Sequence, residues 1–381
     1  MNGSEHPRSS ASIGGFKQLR LFDFSFINHA SRTKFDQFVN WRPPSRSNRS
    51  GRFRSRRRSS KSGSMLLYPL MRRALLLVTI GAAILGAAEK KTYTYKTVGD
   101  LVIQADVYRP DDDVVRPAIF WIHGGALIMG QRRNLRAEQL NRYLDAGFAV
   151  VSIDYRLAPE TKLPEILEDI QDAWRWVRAE GPKLFRIDPD RIAVVGHSAG
   201  GYLTLAAGYL FRPRPRALVS FYGYGDIAGA WYSRPDPFYS KGPAVAKDEA
   251  YQAVGKAPLS APQSPNQRGR FYLYCRQQGL WPKEVTGRDP DTDPRAFDAW
   301  CPVRNVNREY PPTMLLHGDN DTDVPFAQSE QMAAELKRRG VEHEFIRVPG
   351  GPHGFDSALE KDPKISATFD RAVAFLKKRL N

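Results

Sequence analysis

From residue 89 onward, short apolar runs alternate with longer stretches of helical periodicity. "AIFWIH", "FAVVSIDY", "RIAVVGH", "ALVSFYG" and "TMLLHG" are apolar almost throughout, as strands covered on both faces of a sheet must be. Between them lie amphipathic segments such as "LPEILEDIQDAWRWVRAEG", where Ile166, Ile170, Trp174 and Val177 share one helical face and Gly181 predicts a stop. Upstream, "KTYTYKTVGDLVIQADVYRP" predicts a hairpin turning at "TVGD", and "EHEFIRV" predicts a last strand. Strands alternating with helices imply an α/β domain with a mostly parallel central sheet flanked by helices. In such sheets reactive groups collect beyond the C-terminal ends of the strands.

One segment, about 225–310, breaks this rhythm. It is rich in Pro, Gly, Tyr, Trp and Arg ("WYSRPDPFYSKGP", "FYLYCRQQGLWPKEV") and shows no strand alternation. An insertion of that length in an α/β sheet predicts a lid or substrate wall. Its aromatics Tyr239, Tyr272, Tyr274 and Trp281 either face substrate or form the insert's own small core.

Charge separates the front of the chain from the rest. The formal net charge is +16, yet residues 1–64 alone carry 14 Lys/Arg against 3 Asp/Glu. Basic residues in an apolar-poor leader cannot form a folded basic face, so nucleic acid is not an expected partner. Residues 1–64 are expected to be a disordered leader, read in front of the true start at Met71 or Met65. Residues 65–88 follow the plan of a secretory signal: Arg72 and Arg73, an apolar run from Ala74 to Leu85, then the small residues Gly86 and Ala88. The apolar run is shorter than the roughly 20 residues a span needs; a membrane anchor over 65–88 is the alternative. The expectation is an exported protein, periplasmic or secreted, whose catalytic domain covers 89–381. Cys275 and Cys301 are the two cysteines, and they fit either a disulfide or two buried thiols. Two cysteines, and no histidine pair at helical ligand spacing, make a metal cofactor unexpected.

The chemistry lies in "RIAVVGHSAGGYLTLAAGYL", a strand, a sharp turn and a helix around Ser198. A nucleophilic serine at such a turn needs small residues two positions to either side, which Gly196 and Gly200 supply, while Gly201 lets the helix pack closely. Serine also needs a histidine base held by a carboxylate. Of seven histidines, His6 and His29 lie in the leader, His197 adjoins the serine and points away, His123 and His317 end strands, and His343 enters one. His353, on the loop "VPGGPHGFD" before the last helix, remains. The carboxylate is expected after "TMLLHG", where Asp319, Asp321 and Asp323 are not separated by spacing alone. Backbone donors for an oxyanion are expected from Ala199 and from the turn at Gly124 and Gly125.

Together, "HGGA" (123–126), "DYRLAPE" (154–160), "GHSAGG" (196–201), "HGDNDTDVP" (317–325) and "GGPHGF" (350–355) resemble the α/β-hydrolase esterases of the hormone-sensitive-lipase-like and bacterial feruloyl-esterase-like groups, over about Tyr93 to Leu380. The resemblance implies the α/β-hydrolase fold, with Ser198 as nucleophile, Asp321 as the orienting acid and His353 as the base. It also implies oxyanion donors at Gly125, Ala126 and Ala199, with Gly124 in the same loop. "DYRLAPE" resembles the family's structural brace for that loop. Ala126 stands where lipase-like members carry a third glycine, which brings the loop closer to the feruloyl- and acetylxylan-esterase-like members. The implied function is a serine carboxylic ester hydrolase, without metal or organic cofactor, on short-chain acyl or carbohydrate-linked esters. A serine peptidase, an arylformamidase and a catalytically inactive binding module are the other uses of this fold. The sequence sets no oligomeric state.

Overall fold

The computed structural model describes residues 88–262 and 265–381. The leader 1–64 and the signal segment 65–88, except Ala88 itself, lie outside the described residues. The expected hairpin forms from β1 (Ala88–Val98) and β2 (Leu101–Pro110), the five apolar runs become β3 (Arg116–Ile122), β4 (Ala149–Ile153), β5 (Ile187–His197), β6 (Leu218–Phe221) and β7 (Thr313–Gly318), and "EHEFIRV" supplies the last strand, β8 (His343–Val348). They make one eight-stranded sheet in the order β1-β2-β4-β3-β5-β6-β7-β8. Among the described residues only the β1–β2 and β2–β4 pairings are antiparallel; every pair from β4 to β8 is parallel. The strand order reverses beside β3, since the chain leaves β3 for β4 on one side and returns to β5 on the other. Such a reversal opens a crevice at the C-terminal strand ends.

The helices are α1 (Ala137–Asp145), α2 (Leu163–Phe185), α3 (Ala199–Leu210), α4 (Ala230–Ser233), α5 (Lys247–Gln252), α6 (Pro265–Gln278), α7 (Trp281–Thr286), α8 (Pro302–Asn305), α9 (Ala327–Arg338) and α10 (Pro363–Leu380). Each apolar strand serves two cores. Ala118, Phe120 and Ile122 of β3 pack on the side of Ile166, Ile170, Trp174 and Leu203, whereas Ile119 and Trp121 pack on the side of Phe369, Phe375 and Leu376. Continuous apolar runs were therefore required, because neither face meets water.

One expectation changes. Helix α2 does not stop at Gly181: it runs on through Pro182 to Phe185 and ends at Arg186 in the left-handed conformation. Gly181 is buried against Ile187 and Phe185, where a Cβ would meet side-chain atoms at 2.8–2.9 Å; its small size serves packing, not termination. The insert is helical, with α4 to α8 all lying between β6 and β7. Cys275 and Cys301 are both buried free thiols, so the bridged alternative does not occur in this structure.

Candidate active site

The turn from β5 into α3 holds Ser198 at φ 56°, ψ −120°, a conformation costly for a side-chain-bearing residue. What sustains it is the packing around it. A Cβ at Gly196 would stand 2.2 Å from the carbonyl oxygen of Gly200, and one at Gly200 would stand 2.1 Å from that of Ile122. The Ser198 amide donates to Phe221 O on the neighbouring strand at 2.9 Å.

His353 sits on the loop after β8, and that loop is tied to the loop after β7. Asn320 N donates to Gly351 O at 3.1 Å, and Asp319 accepts from Gly350 N and from Arg347 Nε, both at 2.6 Å. These ties place His353 Nε2 3.0 Å from Ser198 Oγ and His353 Nδ1 2.8 Å from Asp321 Oδ2. The other oxygen of Asp321 accepts the amides of Asp323 and Val324 at 2.8 and 2.9 Å. His317 Nε2 approaches Asp321 Oδ2 to 3.3 Å and the Val324 carbonyl to 3.0 Å, and its Nδ1 lies 2.7 Å from Ser329 Oγ. The three aspartates that spacing leaves equivalent therefore have three surroundings. Asp319 holds the histidine loop, Asp321 meets the imidazole at Nδ1, and Asp323 turns one oxygen to the insert and the other toward Nε2.

The electrostatics follow from these contacts. Burial would raise the Asp321 carboxyl, but the hydrogen bonds from His317 and His353 outweigh it and hold Asp321 well below the usual carboxylate range. Burial works against a charge on His353, yet Asp323, Asp321 and Asp356 outweigh it and set its pKa above the ordinary imidazole value. His123 and His197 go the other way, each pushed down to about 4 by burial. His197 stacks on Phe221 with ring centroids 4.5 Å apart and packs beside Trp121 and Tyr222.

The loop after β3 supplies the remaining groups. Gly125 has φ +109°, and a Cβ there would stand 2.1 Å from Met129 O, so only glycine makes the turn. Ala126 and Leu127 follow at φ 55° and 61°. The amides of Gly124, Gly125 and Ala126 donate to no backbone or side-chain acceptor among the described residues. Ala199 opens α3, whose first-turn amides have no intrahelical partner. A Cβ on Gly124 would approach Ser198 Cβ to 3.2 Å, so the loop and the elbow are in contact.

"DYRLAPE" holds this loop from behind. Tyr155 Oη donates to His123 O at 3.0 Å, and Ala158 N to Leu127 O at 2.8 Å. Asp154 accepts from Arg132 N at 2.6 Å, and Glu160 pairs with Arg268, whose Nε donates to Ile128 O at 2.5 Å.

Sequence reasoning missed two supports. Trp281, fully buried, donates Nε1 to Ala126 O at 2.9 Å and stacks on Tyr232. Tyr222 meets the His353 ring edge-on at 4.7 Å and donates to Asp356 at 2.6 Å. Trp281 carried no signal beyond its place in an aromatic-rich insert. Tyr222 looked like any residue ending a strand. Of the four insert aromatics, Tyr272 and Trp281 are buried, and Tyr239 and Tyr274 are half-buried; all four pack into the same apolar core as β3, α2 and α3, so the insert has no separate core of its own among the described residues. Among the described residues no group of three or more His, Cys, Asp or Glu side chains is arranged to hold a metal ion.

Residues 119–357 match the family described as alpha/beta hydrolase fold. The non-reducing polyketide synthase adrD of Penicillium rubens is 29% identical over 354 residues, 80% of this chain but 14% of its own length. The chain thus spans a small part of that relative. Among solved structures, the carboxylesterase EstE1, cloned from a metagenomic library, is 25% identical with a TM-score of 0.58, over 77% of this chain and 90% of its own. An alpha/beta hydrolase superfamily protein from Enterococcus faecalis, 24% identical, superposes with a TM-score of 0.60 over 77% of this chain and all of its own.

Proposed function

This chain belongs to the α/β-hydrolase-fold family, and from that premise we propose that it is a serine carboxylic ester hydrolase working through an acyl-enzyme on Ser198. One observation carries the reading: Ser198 Oγ, His353 and Asp321 form an unbroken hydrogen-bonded chain of 3.0 and 2.8 Å. His353 Nε2 takes the serine proton as Oγ attacks the ester carbonyl, and Asp321 stabilises the imidazolium through Nδ1. The carbonyl oxygen becomes an oxyanion, which the amides of Gly125, Ala126 and Ala199 are placed to receive, with Gly124 shaping the loop. Collapse expels the alcohol, which takes its proton from Nε2. Water then attacks the acyl-enzyme by the same route in reverse, with His353 as base, and releases the acid and free Ser198. Every step uses this chain's own groups.

Short-chain acyl esters and carbohydrate-linked esters are the proposed substrates, on the strength of the "HGGA" loop. The test is turnover of p-nitrophenyl acetate by the full chain beside Ser198→Ala. A loss of several orders of magnitude in kcat is expected, and equal rates in the two proteins would sink the assignment. Export is proposed from the arginine pair and apolar run of residues 65–88. In a secreting host the mature N-terminus should fall near Glu89; retention of the whole leader would contradict it.

A further inference from the structure

Asp323 stands two residues after the aspartate that meets the imidazole, and its two oxygens have opposite surroundings. Oδ1 accepts three hydrogen bonds: from Tyr239 Oη at 2.9 Å, Tyr272 Oη at 2.5 Å and Arg276 Nη1 at 2.7 Å. All three donors come from the insert. Arg276 is itself buried (1% exposed), bridges Asp323 to Asp236, and lies over the rings of Tyr232 and Tyr239 at 4.9 and 4.8 Å. The carboxylate is therefore clamped in one orientation.

Oδ2 accepts no hydrogen bond among the described residues and lies 3.4 Å from His353 Nε2, with the side chain 18% exposed. In the state that begins the reaction, Nε2 carries a lone pair turned to the serine hydroxyl. Oδ2 then faces an acceptor and has no donor of its own. A carboxylate oxygen so placed, and partly desolvated, favours a ligand that brings a hydrogen.

Where that hydrogen comes from follows from the reaction. The departing alcohol oxygen must sit beside Nε2, because Nε2 protonates it. Oδ2, next to Nε2, is then within reach of a group one or two carbons further along the alcohol. We propose that Asp323 is a specificity-determining residue that accepts a hydrogen bond from a hydroxyl on the alcohol moiety, so that esters of polyols and other hydroxylated alcohols are the preferred substrates. This rests on the ester-hydrolase reading and names its substrate class. It is a binding step; no bond is made or broken at Asp323.

The test compares 2-hydroxyethyl acetate with 2-methoxyethyl acetate, which differ in the donor but little in leaving-group acidity. The full-length protein should hydrolyse the hydroxyl ester with a kcat/KM about tenfold higher or more, as expected for a hydrogen bond to a charged group. In Asp323→Asn the three donors hold the amide oxygen at the Oδ1 position, so its NH2 group points where Oδ2 was. The ratio should fall to near unity or below, and Asp323→Ala should also bring it to near unity. A wild-type ratio near unity overturns the proposal and needs no variant. So does a preference that survives in both variants, or a uniform loss on both esters with the ratio intact, which would mean that Asp323 acts on His353 alone. Ser198-dependent turnover of p-nitrophenyl acetate separates the failures. If it persists while the ratio is flat, only this inference falls; if it is absent, the ester-hydrolase reading falls as well.

Discussion

His353 is to act as a base while Asp321, Asp323 and Asp356 all favour its charged form. The neutral imidazole is the active one, so activity is present above the His353 pKa and lost as pH falls through it. With that pKa raised, the acid limb of kcat/KM should have its midpoint above the ordinary imidazole value of roughly 6.5. Asp323→Asn removes the foremost of the charges that raise it, so the midpoint should move down. A wild-type limb at or below that value, or an upward move in the variant, would contradict the electrostatics. His123 and His197, each at about 4, do not titrate in that window. At this scale the sequence was legible where types were scarce: seven histidines allowed elimination. Three aspartates at alternate positions did not, because what distinguishes them is contact with residues far away in the chain: Arg347 for Asp319, His353 Nδ1 for Asp321, and Arg276 together with His353 Nε2 for Asp323.

The insert acts at the scale of elements. Trp281, at the start of α7, donates to the carbonyl of Ala126, so a segment 155 residues away holds the turn that carries the proposed oxyanion donors. Trp281→Phe keeps most of the apolar volume but leaves that buried carbonyl without its donor, a cost of about 1–3 kcal/mol. Denaturant unfolding should report that loss, and kcat should fall by more than KM changes if the displaced amides are the oxyanion donors proposed above. The same stability loss with kcat unchanged would show that the oxyanion loop holds its shape alone. The strands were readable because burial on both faces writes continuous apolar runs. The insert was not, because α4, α5, α7 and α8 have only four to six residues each, too few for a helical period to show. Helix α2 misled for another reason. Gly181 resembled a stop, but a close approach to Ile187 asked for the same residue type.

At the scale of the whole chain, the proposed chemistry and most of the net charge lie in different parts of the sequence. The apolar sheet divides two cores and carries every proposed catalytic group beyond the C-terminal ends of β3, β5, β7 and β8. Much of the formal +16 lies in residues 1–64, away from that chemistry in the chain. The fold and the order serine, acid, histidine were legible because the topology demands them, whereas the coupling of insert to site needed the third dimension. The central claim is a covalent acyl group on Ser198, and rapid quenching of the full chain with p-nitrophenyl acetate tests it most directly. Peptide mass spectrometry should locate a single acetyl group on Ser198, formed in a burst of p-nitrophenol and absent from Ser198→Ala. Steady turnover with no acetyl group on Ser198 under burst conditions, or the same turnover in the alanine variant, would contradict it.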